Sequence, residues 1–112
     1  MLEALWSVEF GSNLGLIGAG VAVFETGRIL GGDSAFMYVG NYKTVNGTVQ
    51  ANIHVTRYNN ISQMQSIFGP LTSFHLSVSG KADQQSMVLT GTVVEQPQLQ
   101  ITIQATRRVE LP

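Results

Sequence analysis

The sequence holds two histidines, His54 and His75, and no cysteine, so any general-base or zinc-ligand chemistry would have to be built on those two imidazoles. Each lies in a run that alternates polar and apolar residues, Gln50-Ala51-Asn52-Ile53-His54-Val55-Thr56 and Ser73-Phe74-His75-Leu76-Ser77, and each sits on the polar register. In a half-buried strand that register faces water, so both are expected as solvated strand residues. Nucleophilic catalysis needs a Ser or Cys beside a base and an orienting group; serines are plentiful, but no G-x-S-x-G turn presents one. Zinc would need at least one carboxylate supplied by the fold, because no ligand spacing is present. Glu9, Glu25, Glu95 and Glu110 are scattered, with nothing to pair them for acid–base work. Gly31-Gly32-Asp33 has the glycines of a phosphate loop but neither the following Lys nor a long helix. A tight turn is expected there, with Asp33 bonding nearby backbone amides. No catalytic residue, metal or cofactor is assigned, and the chain is read as a binding protein, not an enzyme.

The aromatic residues carry the binding chemistry. Trp6, Phe10, Phe36, Tyr38, Tyr42 and Phe74 fall on the registers that face a core. A tyrosine hydroxyl in such an interior needs a partner or a polar ligand. The candidate ligand-lining residues are therefore Trp6, Phe10, Phe36, Tyr38 and Phe74, with Met64 from a covering segment. Core filling is the alternative use of the same side chains.

The elements that must position them are strands. Phe74, Leu76 and Val78 alternate with Ser73, His75, Ser77 and Ser79, and Met87, Leu89, Gly91 and Val93 alternate with Ser86, Val88, Thr90 and Thr92. Leu99, Ile101, Ile103 and Ala105 alternate with glutamines and threonines, and Val49, Ala51, Ile53 and Val55 do so with Gln50, Asn52, His54 and Thr56. Period two of this kind gives antiparallel strands with one dry face and one wet face. Turn residues separate the runs, and Asn46-Gly47 is the strongest hairpin signal because both residues accept the positive φ of a type I′ turn. Eight strands result, at about 4–11, 16–25, 27–31, 35–44, 47–58, 72–80, 85–95 and 98–108. The expected fold is all-β, an antiparallel up-and-down barrel of those eight strands in a single domain over residues 1–112, with a Greek-key sandwich as the alternative.

One segment departs from period two. Asn60-Ile61-Ser62-Gln63 has the form of a capping box, Ile61, Met64, Ile67 and Phe68 recur at helical spacing, and Gly69-Pro70 supplies a stop. A short helix is expected near 61–68, docked over an open end of the barrel. Ile17, Val21, Val23, Met37 and Val39 point the other way, outward from the second and fourth strands, which are apolar on both faces. A second copy of the chain is the simplest cover for such a surface, so a homodimer is expected.

Composition narrows the partner class. The net charge is −1 with 12% charged residues, and the four arginines form no stripe, so there is no electrostatic basis for nucleic acid or an anionic membrane. The longest apolar run, Leu14 to Phe24, is eleven residues and holds three glycines, against the roughly 20 that a spanning helix needs. Strand faces rich in Ser, Thr, Gln and Asn argue against a membrane barrel. Acidic Glu3 stands where a secretory leader carries a base, so the expected location is cytoplasmic.

With the strands placed, Leu5-Trp6-Ser7-Val8-Glu9-Phe10, Gly18-Ala19-Gly20-Val21, Gly27-Arg28-Ile29-Leu30-Gly31-Gly32-Asp33, Tyr38-Val39-Gly40-Asn41-Tyr42 and His54-Val55-Thr56-Arg57-Tyr58-Asn59 together form a pattern over about residues 4–60. That pattern resembles the GrlR family of negative regulators of type III secretion. The resemblance implies a lipocalin-like barrel, dimeric, which represses by sequestering a transcriptional activator protein without touching DNA. Where the family's founding member carries an acidic run, after the Tyr-x-Gly strand, this chain has Lys43-Thr44-Val45-Asn46-Gly47, so no activator-binding residue carries over. A binding module that regulates by holding a protein partner is the leading reading, and a lipocalin-like carrier of a small hydrophobic ligand is the second.

Overall fold

A computed structural model describes residues 2–59 and 65–112. The strands are β1 (Ala4–Ser12), β2 (Ile17–Glu25), β3 (Arg28–Gly32), β4 (Phe36–Val45), β5 (Thr48–Arg57), β6 (Ser73–Ala82), β7 (Ser86–Val93) and β8 (Gln96–Val109). Each pairs antiparallel with its neighbour in sequence, and β8 pairs with β1, so the sheet closes into an eight-stranded up-and-down barrel. Closure by the first and last strands excludes the Greek-key sandwich. Every strand end lies within two residues of its expected position.

The turns fix the registers. Asn46 and Gly47 both take positive φ, 52° and 78°, between the paired Val45 and Thr48. This is the two-residue hairpin that Asn-Gly favours. With strands alternating in direction, one end of the barrel carries the turns at 26–27, 46–47 and 83–85 and both chain termini. The other end carries the loops at 13–16, 33–35 and 94–95 and the long connection from β5 to β6. These are called the lower and upper ends.

The inward registers are those that the alternation selected. Ile53, Val55, Leu76, Leu89, Ile101 and Ile103 are all buried in one core, and the threonines and glutamines between them face out. Large side chains fill the lower half. Trp6 is completely buried, its ring 6.0 Å from Phe24, and Phe24 lies 5.0 Å from Tyr42. The indole Nε1–H donates to the Leu2 carbonyl at 2.9 Å, and the Arg107 guanidinium lies 5.2 Å from the ring. Val49 and Met87 complete the plug.

The expected helix near 61–68 is corrected where it can be seen. Residues 61–64, Met64 among them, lie outside the described residues, and 65–68 form no helical turn. Ser66 and Gly69 instead bridge across a tight turn, with Gly69 at φ 83°. The Ser66 hydroxyl accepts the Phe68 N–H at 3.0 Å, and the Ser12 hydroxyl donates to the Ile67 carbonyl at 2.7 Å. Serine competing for backbone groups, followed by a left-handed glycine, defeats a helix that has little length to stabilise it. The apolar residues still do the expected covering: Ile67 and Phe68 are buried at the upper end, Phe68 edge-on to Phe74 at 5.3 Å.

Candidate functional site

The inward positions of β2, read downward, are Gly18, Gly20, Ala22 and Phe24. Three small residues followed by one large one leave the upper half of the lumen underfilled, and a cavity of about 120 Å³ lies there. Phe24 and Ile29 line it toward the lower end, while Phe10, Phe36, Phe68 and Phe74 line its upper part. Its lining reaches the exposed residues Ile17, Ala19, Ser34 and Gln65 at the upper end.

One polar pair enters this apolar space. Asp33 begins the turn between β3 and β4, and its Oδ1 accepts the backbone N–H groups of Ala35 at 2.9 Å and Phe36 at 2.8 Å. That is the amide-capping turn expected of Gly-Gly-Asp. Its other oxygen, Oδ2, accepts the Tyr38 hydroxyl at 2.5 Å. Gly20 makes room for this contact: a Cβ there would lie 2.7 Å from the tyrosine oxygen and 3.2 Å from the Asp33 Cβ. Burial, reinforced by the Asp33 hydrogen bond, pushes the Tyr38 phenol well above its ordinary pKa, so the hydroxyl keeps its proton. The Phe10 ring stands edge-on to Tyr38 at 6.3 Å.

Of the residues expected to line a ligand site, Phe10, Phe36, Tyr38 and Phe74 meet at this cavity, and Met64 lies outside the described residues. Trp6 is corrected: it belongs to the filled lower half, where Phe24 and Arg107 occupy the space around its ring. Sequence reasoning found the Asp33 turn and the need of a buried tyrosine for a partner, but did not join the two.

The outer wall is divided. Val21, Met37 and Val39 are exposed, Val23 is half-buried, and Ile17 sits on the rim of the cavity with 86% of its surface open. The register adds Leu30, which lies between Val23 and Val39 to make one apolar row across β2, β3 and β4; Val21, Gly32 and Met37 make the next. The wall from β5 to β8 is instead mainly polar, with rows such as Gln50, Ser79, Thr90 and Thr102, and exposed Lys81, Val88 and Arg108 interrupt it.

That polar wall holds both histidines. His54 and His75 are direct cross-strand partners whose rings stack at 4.2 Å. His54 Nε2 lies 3.0 Å from the Ser73 hydroxyl, and His75 Nδ1 lies 2.5 Å from Glu95. Glu95 also accepts the His75 backbone N–H at 2.9 Å. That backbone bond, then the ring contact, holds the Glu95 carboxyl down from its ordinary 4.5 to about 2. The cluster is exposed and lies outside the cavity lining. No group of three metal-ligating side chains occurs among the described residues.

A depressed carboxyl pKa adds stability above the unfolded-state value and loses it as pH falls through the folded one. Wild type is therefore expected to lose stability relative to Glu95→Gln between about pH 4.5 and pH 2. Thermal melts of both proteins across that interval check it; parallel curves would mean that the Glu95 contacts do not persist in solution.

Comparison with known proteins finds no family model that matches the sequence and no curated protein with significant similarity. Among the described residues, no helix is long and apolar enough to cross a membrane.

Proposed function

We propose that this chain is a non-catalytic binding module whose lumen holds one small, mainly apolar ligand in the manner of a lipocalin-like carrier. The observation that carries the reading is the underfilled upper half of the barrel. A folded protein packs its interior to crystal-like density, yet here β2 turns Gly18, Gly20 and Ala22 toward a ring of phenylalanines. An apolar void of roughly 150 Å³ suffices to bind benzene or xenon, and this one is of that order at about 120 Å³. Pockets for drug-sized ligands run to about 300–1,000 Å³, so the ligand class is about one ring in size. Saturating benzene is expected to raise the melting temperature of wild type, because it binds the folded state alone. Ala22→Leu, which puts a side chain into the void, should abolish the rise. No rise for wild type would rule out the lumen as a ligand site.

A second reading rests on the Val23–Leu30–Val39 row. Exposed apolar rows on one side of a barrel whose other side is polar suit contact with protein, and the resemblance to GrlR supplies the form. In that reading the chain is a cytoplasmic homodimer that represses by holding a transcriptional activator. Sedimentation is then expected to give a dimer at micromolar concentration, shifted toward monomer by Val21→Glu or Met37→Glu. A monomeric wild type would remove the dimer.

A further inference from the structure

The chemistry of the lumen restricts its ligand further, granted the reading of the cavity as a ligand site. We propose that the lumen selects a one-ring molecule bearing a hydrogen-bond donor, a phenol or ring alcohol, over rings that offer only an acceptor and over plain hydrocarbons.

The selection follows from where the protons go. A carboxylate accepts at about four lone-pair positions, and a phenolic hydroxyl donates once and accepts at its oxygen. Asp33 Oδ1 is occupied by the Ala35 and Phe36 amides, and Oδ2 takes the only proton of Tyr38. What this pair still presents to the cavity is acceptor capacity alone: one position on Asp33 Oδ2 and the oxygen of Tyr38. The nearby Ser66 hydroxyl is turned into its own turn, accepting from Phe68 and donating to the Gly69 carbonyl at 3.3 Å. Ser34 and Gln65 also line the cavity but stand on the exposed rim, where water competes for them. A ring hydroxyl that reached Asp33 or Tyr38 would exchange water for a charge-assisted or neutral hydrogen bond inside an apolar wall. An acceptor-only ring would place its lone pairs against theirs.

Gly20 is the second part of the device. It lets the tyrosine oxygen lie against β2 beside Asp33, and so keeps the centre of the lumen free for a ring. Without that glycine Tyr38 would be displaced toward the cavity.

Titration of the full chain with benzene, phenol and benzonitrile, followed by calorimetry or NMR shifts, tests the proposal. Wild type is expected to bind phenol about tenfold more tightly than either other ring, as one added hydrogen bond of about 1.4 kcal/mol gives. Asp33→Asn keeps an oxygen for the two backbone amides but turns an NH₂ toward Tyr38, which frees the tyrosine proton. In that variant the order is expected to reverse, benzonitrile binding more tightly than phenol. Tyr38→Phe leaves Oδ2 open and should keep the preference for phenol. Equal binding of all three rings by wild type, or an unchanged order in Asp33→Asn, would overturn donor selection while leaving the lumen a ligand site. Binding of none would overturn the lumen site itself.

Discussion

Trp6→Ala is expected to lose about 3–5 kcal/mol of folding free energy, as large aromatic-to-Ala changes in a closed core do. The side chain is completely buried, and three separate contacts end with it: the tilted packing on Phe24, the Nε1–H bond to the Leu2 carbonyl and the Arg107 guanidinium near the ring. Leu2 lies just ahead of β1, so the indole also ties the start of the chain to the barrel. A domain of this kind has only about 5–15 kcal/mol in total, so the loss amounts to about a fifth or more of its stability. Trp6→Phe keeps a ring against Phe24 and should recover more than half of the loss. Urea unfolding of the three proteins measures it. A loss under about 1 kcal/mol for Trp6→Ala would mean that the lower half is not plugged by this residue.

Leu89→Ala is expected to lose about 2–5 kcal/mol, whereas its chain neighbour Thr90→Ala should lose about 0.5 kcal/mol or less. Leu89 is 2% exposed and lies opposite Ile103 in the register, while Thr90 stands on the outer wall between Ser79 and Thr102. Leu89 also borders the existing cavity. Truncation would merge new space with old, and the cost of a void grows with its volume, which places Leu89→Ala toward the upper part of that range. Denaturant melts that gave the pair equal losses would contradict the inward register of β7, and with it the registers of β6 and β8.

The strands and their parity were legible because each is a local matter. Period two in Phe74-Leu76-Val78 or Ile101-Ile103-Ala105 is set by pleating alone, and Asn46-Gly47 specifies its own turn. Strand number and hairpin connection favoured a barrel but left the Greek-key sandwich open until β8 was seen to pair with β1. What was not legible depends on register between strands or on competition within a turn. Leu30 could have been read from its place after inward Ile29, but a strand of five residues shows little alternation. The stacking of His54 on His75 depends on how β5 meets β6 across a long connection that sets no register of its own. Tyr38 and Asp33 are five residues apart, and their contact required the β3–β4 turn, the inward face of β4 and the absence of a Cβ at Gly20 together. The capping-box pattern before Met64 led toward a helix, and Ser66 with Gly69 turned the described part of that segment into a tight bend. Trp6 carried the right parity for the lumen but the wrong height in it, because parity gives the face of a strand and says nothing about distance along the barrel axis.

The cavity itself is open to direct observation. Xenon enters apolar voids of this size without needing a polar contact, so a crystal of the protein pressurised with xenon reports on the void independently of any choice of ligand. The expected result is one ordered xenon inside the barrel, bounded by Phe10, Phe36, Tyr38, Phe68 and Phe74, and missing from Ala22→Leu. A barrel interior free of xenon in wild type, with side chains filling the space above Phe24, would contradict the lumen as a binding site.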